Sequence, residues 1–278
     1  MRLLSRPSNI SRPFDRLAIE SVLYQVFLVV TGAWSDPFEL DYHFDTEFWL
    51  QAERLLAKSN LYPHRSISFN SPVIGVPLAL FRIIISLKQL YQNPWDHDEE
   101  AIHQLRSEVE EWEGVVLSEG ETDHHLEDED VRVSPGIYRD AAYLYVLVSS
   151  LLMDQISIGD WTPGVPQVAP RDSWQLKKAI QILRGRQDDP DWSKCFIGNW
   201  PIYSLGFFLD DPEGIELVRK DMQQRWDVVR FSQIMRFRKD LEATWAARGT
   251  VTSASIWAES LTLIQAKDQA TDWIDALG

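Results

Sequence analysis

The 278-residue sequence contains one cysteine, Cys195. A single cysteine forms no disulfide within the chain, and it excludes every zinc module that is built from several cysteines. Such scarcity is typical of proteins in the reducing interior of a cell. We therefore expect an intracellular protein whose stability comes from its core rather than from cross-links.

Long apolar runs are also absent. The most apolar early stretch, residues 22–30, is interrupted by Gln25 and is far shorter than the roughly 20 residues that span a bilayer. Residues 1–13 are polar and basic, include two prolines, and lack the apolar run of a signal peptide. We expect a flexible N-terminus over residues 1–14 and no membrane contact.

Positive charge is scarce, because 42 acidic residues oppose 27 basic ones and give a net charge of −15. This balance argues against direct contact with nucleic acid, whose phosphates require clustered Lys and Arg, and against an anionic membrane surface. Seven of the twelve residues from Glu119 to Asp130 are acidic. Such a segment buries too little apolar surface to offset its ordering entropy, so we predict a mobile acidic loop over residues 117–134.

No stretch alternates apolar and polar residues with β-branched enrichment, so the sequence predicts no sheet. Apolar residues instead recur at steps of three or four, which is the helical period. The clearest example comprises Ile102, Leu105, Val109, Trp112 and Val116. We predict an all-α fold, an irregular multi-helix domain of about nine or ten helices that extends from residue 15 to residue 278.

Glycine, proline and capping residues predict where several helices begin and end. Gly32 should end the first helix, and either Pro72 or Pro77 should open the third. Asp211 followed by Pro212 predicts a helix start. A last helix is expected over residues 253–264.

The sequence contains no Gly-x-Ser-x-Gly elbow, phosphate-binding loop or dinucleotide fingerprint, which disfavours the common hydrolases, kinases and dehydrogenases. A cyclase or isomerase, whose site is a shaped apolar pocket with one acid, remains open. Cys195 is a candidate nucleophile, but its apolar neighbours Phe196 and Ile197 favour a buried structural thiol. Catalytic residues are therefore unknown at this stage.

Two groups of residues resemble metal ligands. Asp123, His124, His125 and Asp128 lie in the predicted acidic loop, where the fixed geometry of a metal site is not expected. Glu100 and His103 form one Glu-x-x-His step, whereas di-iron bundles need two. We expect neither a metal nor another cofactor.

Two further features have a structural interpretation. The basic run from Arg219 to Lys239 alternates with acidic residues, which favours an ion-paired helix face over a phosphate-binding surface. The twelve tryptophans can line a ligand cavity, but most of them are expected in the core.

Four stretches, in order, resemble segments of the fungal-specific transcription factor domain, the regulatory region that follows a zinc-cluster DNA-binding domain in many ascomycete proteins. The match extends over roughly residues 15–250. Its motifs are a Gly-containing helix leading to a helix that ends in Trp, a tyrosine-rich helix, a Trp-Pro segment with a following glycine, and a final Leu-x-x-x-Trp. These are residues 71–84 with 111–113, residues 138–146, residues 199–206 and residues 241–245.

The resemblance implies an all-helical regulatory domain whose motifs serve packing. Trp200 and Pro201 would start a helix under an aromatic lid, and Gly206 would allow a neighbouring helix to approach closely. Family members usually carry six zinc-binding cysteines upstream, and this sequence has none of them. A regulator of this kind would act through a partner, or the chain would be a fragment or a truncated paralogue.

Two functions follow from the resemblance. The first is a regulatory or interaction domain in the nucleus or cytoplasm that serves a secondary-metabolite pathway. Such a domain would bind a protein partner or a small-molecule effector, and a homodimer is one possible assembly. The second is a cyclase or isomerase built on the recruited scaffold, with a closed aromatic cavity around an ionisable group such as His64, Asp140 or Glu216. The residues predicted for a ligand pocket are His64, Asp140, Trp200 and Tyr203.

Overall fold

A computed structural model describes residues 13–34, 46–57, 71, 73–92, 99–118, 136–158 and 164–249 of the chain. Within these ranges every regular element is helical, which confirms the all-α prediction. The described ranges contain ten α-helices and a 3₁₀ turn over Phe196–Gly198. The α-helices are α1 (Pro13–Thr31), α2 (Thr46–Ala57), α3 (Leu78–Gln92), α4 (Glu99–Ser118), α5 (Ile137–Ile158), α6 (Trp174–Arg186), α7 (Pro190–Lys194), α8 (Asn199–Phe207), α9 (Pro212–Val229) and α10 (Ser232–Ala247).

Helix α5 lies at the centre and packs against α3, α4, α6 and α8. Helix α3 also contacts α1 and α2, while α9 contacts α6, α7, α8 and α10. Among the described residues, α5 is the one helix long and apolar enough to cross a membrane, but 67% of its most apolar window is buried inside the protein. Buried side chains of all ten helices form one continuous core.

Most predicted helix ends are confirmed. Gly32 adopts a positive φ of 45° after α1, where its N–H donates to the Leu28 carbonyl over 2.9 Å. Helix α3 begins after Pro77, the second of the two predicted positions. The Asp211 carboxylate accepts from the Gly214 N–H over 2.6 Å and caps α9.

Some boundaries differ from the prediction. Helix α1 begins at Pro13, inside the segment predicted to be flexible, and α4 continues through Ser118, inside the predicted loop. The short helix α7 is not among the helix starts predicted above; the Asp189 carboxylate caps it by accepting from two backbone N–H groups. The rest of the acidic loop and the predicted helix over residues 253–264 lie outside the described residues.

Aromatic rings form the centre of the core. The Trp200 ring is nearly parallel to that of Tyr145, with centroids 6.3 Å apart, and meets the Phe27 ring edge-on at 5.7 Å. Phe81 packs on Phe27 at 4.5 Å. These contacts join α1, α3, α5 and α8. They fix the orientation of α1 on the core and thereby determine which side of α1 faces outward.

The inner side of α1 contains a buried ion pair. Glu20 is fully buried and accepts from Arg16 Nε over 2.7 Å. Its second oxygen accepts from the N–H groups of Val73 and Ile74, at 3.0 and 3.3 Å. A buried carboxylate is tolerated when it is paired and hydrogen-bonded in this way. Glu20 therefore fixes the segment before α3 to α1 and directs its own charge inward.

Candidate interaction face and ligand cleft along α1

The outward side of α1 is uncharged from Leu17 to Thr31, after the exposed Asp15 of its first turn. Between Leu17 and Thr31 the helix contains one charged residue, Glu20, and that residue is buried. Val22 is 49% exposed and Val29 is 71% exposed, whereas charged residues make up 25% of the whole sequence. We call the surface formed by Ser21, Val22, Gln25, Val26 and Val29 the neutral face.

Two open cavities adjoin this helix. The first has a volume of about 350 Å³ and is lined by the neutral face. The second, also of about 350 Å³, shares Ser21 and Gln25 with the first, so the two are contiguous. We call the second the aromatic cleft; its residues are Ser21, Tyr24, Gln25, Val73, Lys194, Phe196, Val229 and Phe231.

The floor of the aromatic cleft is the turn that follows α7. Three consecutive carbonyls of this turn accept hydrogen bonds from side chains of three different helices. Tyr24 Oη donates to the Phe196 carbonyl over 3.2 Å, and Tyr145 Oη donates to the Ile197 carbonyl over 3.0 Å. Arg225 Nη1 donates to the Cys195 carbonyl over 2.5 Å. The floor is thus fixed by α1, α5 and α9 together.

Arg225 is buried beneath this turn. Its Nε lies 2.5 Å from Asp221 Oδ1, and Trp192 Nε1 donates to the other Asp221 oxygen over 2.7 Å. The guanidinium also lies over the Trp192 ring, 4.8 Å from its centroid. A Cβ added at Gly198 would lie 3.1 Å from Arg225 Nη2, so the turn passes close to the guanidinium. The Arg225–Asp221 pair therefore supports the cleft from within.

Burial determines the protonation states around the floor. It raises the pKa of the Tyr24 and Tyr145 hydroxyls, so both remain hydrogen-bond donors at neutral pH. Burial also raises the pKa of the Cys195 thiol, which keeps it in the unreactive neutral form. The structure therefore favours the structural interpretation of Cys195 over the nucleophilic one.

The rim of the cleft is basic on one side. Lys194 is the one charged residue among those described as lining the cleft, and its ammonium lies 2.8 Å from Asp191. Arg230 stands between the lining residues Val229 and Phe231, in the left-handed conformation with φ 51°. This conformation turns the chain sharply from α9 into α10 and places Phe231 at the rim.

Two of the predicted pocket residues, Trp200 and Tyr203, do not line either cavity. Trp200 and Tyr203 are both fully buried on α8. Tyr203 stacks on Phe237 with centroids 4.0 Å apart and donates to Asp240. Both tryptophan and tyrosine rings therefore belong to the packed core.

Two of the predicted ionisable residues, Asp140 and Glu216, form ion pairs. Asp140, in the first turn of α5, lies 2.7 Å from Arg186, and Glu216 lies 2.6 Å from Arg219 at the surface. Neither lines the two cavities, and His64 lies outside the described residues. A pocket that unites these residues stays a prediction.

The Glu-x-x-His step of α4 lies at the surface. Glu100 and His103 are exposed on α4, and no group of three or more potential ligands occurs in the part of the chain that the structure describes. The four loop residues from Asp123 to Asp128 lie outside that part.

The basic run has two different environments. Arg219 pairs with Glu216 and Glu242, and Arg230 lies 3.8 Å from Asp227, which confirms the ion-paired interpretation there. Arg225 is ion-paired as well, with Asp221 four residues earlier on α9, but it is 1% exposed and lies in the core rather than on a solvated face. Tertiary packing adds the Trp192 ring, over which the guanidinium lies.

Sequence reasoning did not identify the neutral face. The uncharged run from Ser21 to Thr31 was a signal for it, because whichever side of such a segment is exposed must be uncharged. The aromatic cleft gave no such signal, since its walls come from separate parts of the chain. Comparison of the chain with protein-family models, with curated proteins and with solved structures gives no match.

Proposed function

We propose that this protein is a regulatory interaction domain that pairs with a second copy of itself through the neutral face of α1. The observation that carries the proposal is the exposed, uncharged side of a helix in an otherwise highly charged chain. Exposed apolar patches of this kind mark interaction sites, and charged residues are depleted at the centre of interfaces.

The absence of charge on the neutral face allows a second copy to be the occupant. Two chains of net charge −15 repel each other over most of their surfaces. The neutral face contributes no like-charge contact when it meets itself, so a two-fold pairing there avoids the largest local repulsion. Isologous contacts of this type are the commonest in homo-oligomers.

The spacing of the exposed residues fits a helical partner. Val22, Val26 and Val29 follow the i, i+4, i+7 pattern of a helix seam. The shallow cavity beside them, about 350 Å³, provides space for side chains of an opposing helix. The second copy presents the same seam, which makes α1 its own complement.

A regulatory role is consistent with the resemblance to the fungal-specific transcription factor domain. In this proposal the domain pairs with a second copy and responds to an effector, while a partner protein makes the contact with DNA. The domain would then act in the nucleus or shuttle into it.

Sedimentation velocity over a range of protein concentrations tests the pairing. We expect a dimer that forms with increasing concentration, and that forms more readily at higher salt because salt screens the mutual repulsion. Val29→Glu places a carboxylate in the contact and should weaken dimerisation at least about tenfold, since an unpaired buried charge is costly.

Ile158→Glu is the matched control, because Ile158 is also highly exposed, at 76%, but lies at the end of α5. This variant should dimerise like the wild type. A wild-type protein that sediments as a monomer at every concentration and salt would refute the proposal, and so would equal effects of the two substitutions.

A further inference from the structure

We infer that the aromatic cleft is a binding site for a small aromatic compound that carries an acidic group such as a carboxylate. The aromatic cleft adjoins the neutral face and shares Ser21 and Gln25 with it, but the inference does not depend on dimerisation. It assigns the cleft an effector of defined chemistry.

The walls of the cleft fit a flat aromatic ring. Tyr24 and Phe196 meet edge-on with centroids 5.1 Å apart, and Phe231 lies at the rim. Val73 and Val229 complete the apolar lining. The volume of about 350 Å³ lies at the lower end of the range for small-molecule sites, which indicates a ligand of one or two fused rings.

The charge of the rim selects an anion. Lys194 is the one charged side chain among the described lining residues, although the protein as a whole is strongly acidic. Its ion pair with Asp191 is open to solvent, with Lys194 61% exposed, and such pairs are weak. The ammonium can therefore turn toward a carboxylate in the cleft, and Ser21 and Gln25 add uncharged polar groups to the lining.

The floor of the cleft is preorganised. Tyr24 and Phe196 are joined by the hydrogen bond from Tyr24 Oη to the Phe196 carbonyl, and the adjacent carbonyls are held by Tyr145 and Arg225. A ligand that docks on this floor need not order the turn, so less of the binding energy is lost to conformational entropy. The rigidity of the turn thus favours a ligand site here.

Titration calorimetry with 2-naphthoate, compared with the uncharged 2-naphthamide, tests the inference. We expect saturable binding of 2-naphthoate with a Kd below about 1 mM, which is ordinary for a ligand of this size. The amide should bind about threefold to fivefold more weakly, because a solvent-exposed ionic contact contributes modestly.

Three variants locate the site. Lys194→Gln should reduce the affinity for 2-naphthoate to that for the amide and leave the affinity for the amide unchanged. Phe231→Ala should weaken the binding of both ligands. Lys177→Gln, which removes an exposed lysine on α6, is the control and should change neither. Repeating the titrations in Val29→Glu protein, whose substitution lies outside the cleft, separates ligand binding from dimerisation.

No saturable binding of 2-naphthoate up to millimolar concentration would overturn the inference. An unchanged preference for the acid over the amide in Lys194→Gln would also overturn it. Binding that persists in Val29→Glu protein supports the cleft even if the wild type proves monomeric, so the two proposals fail separately.

Discussion

Gly206 of α8 lies directly against Leu241 of α10. A Cβ added at Gly206 would be 2.7 Å from Leu241 Cδ2 and 3.2 Å from Trp245 Cζ2. The Trp245 indole N–H donates to the Gly206 carbonyl over 2.9 Å, which joins the two helices at the same point. The close helix approach that the sequence predicted for Gly206 is confirmed.

Gly206→Ala should therefore destabilise the protein. The added methyl group displaces Leu241 in a packed core, and overpacking of this kind costs about 1–3 kcal/mol. Urea denaturation measures the change in the free energy of unfolding. Gly114→Ala is the control, because no neighbouring atom lies within 4 Å of a Cβ there. It should stabilise α4 by about 0.5–1 kcal/mol, and a Gly206→Ala protein as stable as the wild type would contradict the structure.

Arg225→Met tests the support beneath the cleft. The substitution leaves the buried Asp221 carboxylate without its ionic partner, and breaking a buried pair in this way costs about 3–5 kcal/mol. The free energy of unfolding should fall by that amount. Combining Arg225→Met with Asp221→Asn should lower the free energy of unfolding by less than the sum of the two single effects, because both substitutions remove the same interaction.

Arg184→Met provides the comparison for Arg225. Arg184 pairs with Glu213 at the surface, where both side chains are more than half exposed. Exposed ion pairs contribute about 0–1 kcal/mol, so this variant should unfold almost like the wild type. An equal decrease in the free energy of unfolding in the Arg184 and Arg225 variants would be incompatible with a buried network around Arg225.

Ionisation of Tyr91 should lower the free energy of unfolding at alkaline pH. Burial raises the pKa of Tyr91 to about 12, and its hydroxyl donates to Gln155 Oε1 over 2.6 Å. The unfolded chain ionises this tyrosine at lower pH than the folded protein does. The contribution of Tyr91 to the free energy of unfolding is therefore complete below the ordinary pKa of 10.0. It is lost as the pH rises toward about 12.

Tyr91→Phe removes both the hydrogen bond and the ionisation. The variant should be less stable than the wild type by about 1 kcal/mol at neutral pH. Urea denaturation at increasing pH should show that this difference narrows above pH 10, where the wild type loses its contribution. A difference that stays constant or widens in the alkaline range would contradict a raised pKa.

The helices were largely predictable because apolar periodicity and local caps determine them. Gly32 and Asp211 act through neighbours within a few residues, so their roles are visible in the sequence. Helix α7 is not predicted by periodicity, although Asp189 and Pro190 are residue types that start helices. Five residues of helix leave too short a pattern for periodicity to identify.

The candidate sites were much less predictable. Helix α1 is apolar on nearly all sides after Leu17, so its period cannot distinguish the side against the core from the exposed side of Val22 and Val29. The aromatic cleft brings Val73, Lys194 and Phe231 together from distant positions. Arg225 seemed part of an exposed basic run because charge patterns contain no information about burial.

Cysteine cross-linking at Gln25 tests the central claim most directly. Gln25 lies in the middle of the neutral face, and the native Cys195 is buried and does not compete as a thiol. In Gln25→Cys protein, mild oxidation should yield a disulfide-linked dimer, because a two-fold pairing centred on α1 brings the same position of both copies together. Ile158→Cys, equally accessible but on α5, should stay monomeric on a non-reducing gel. Cross-linking at Ile158 but not at Gln25, or at neither position, would contradict pairing through α1.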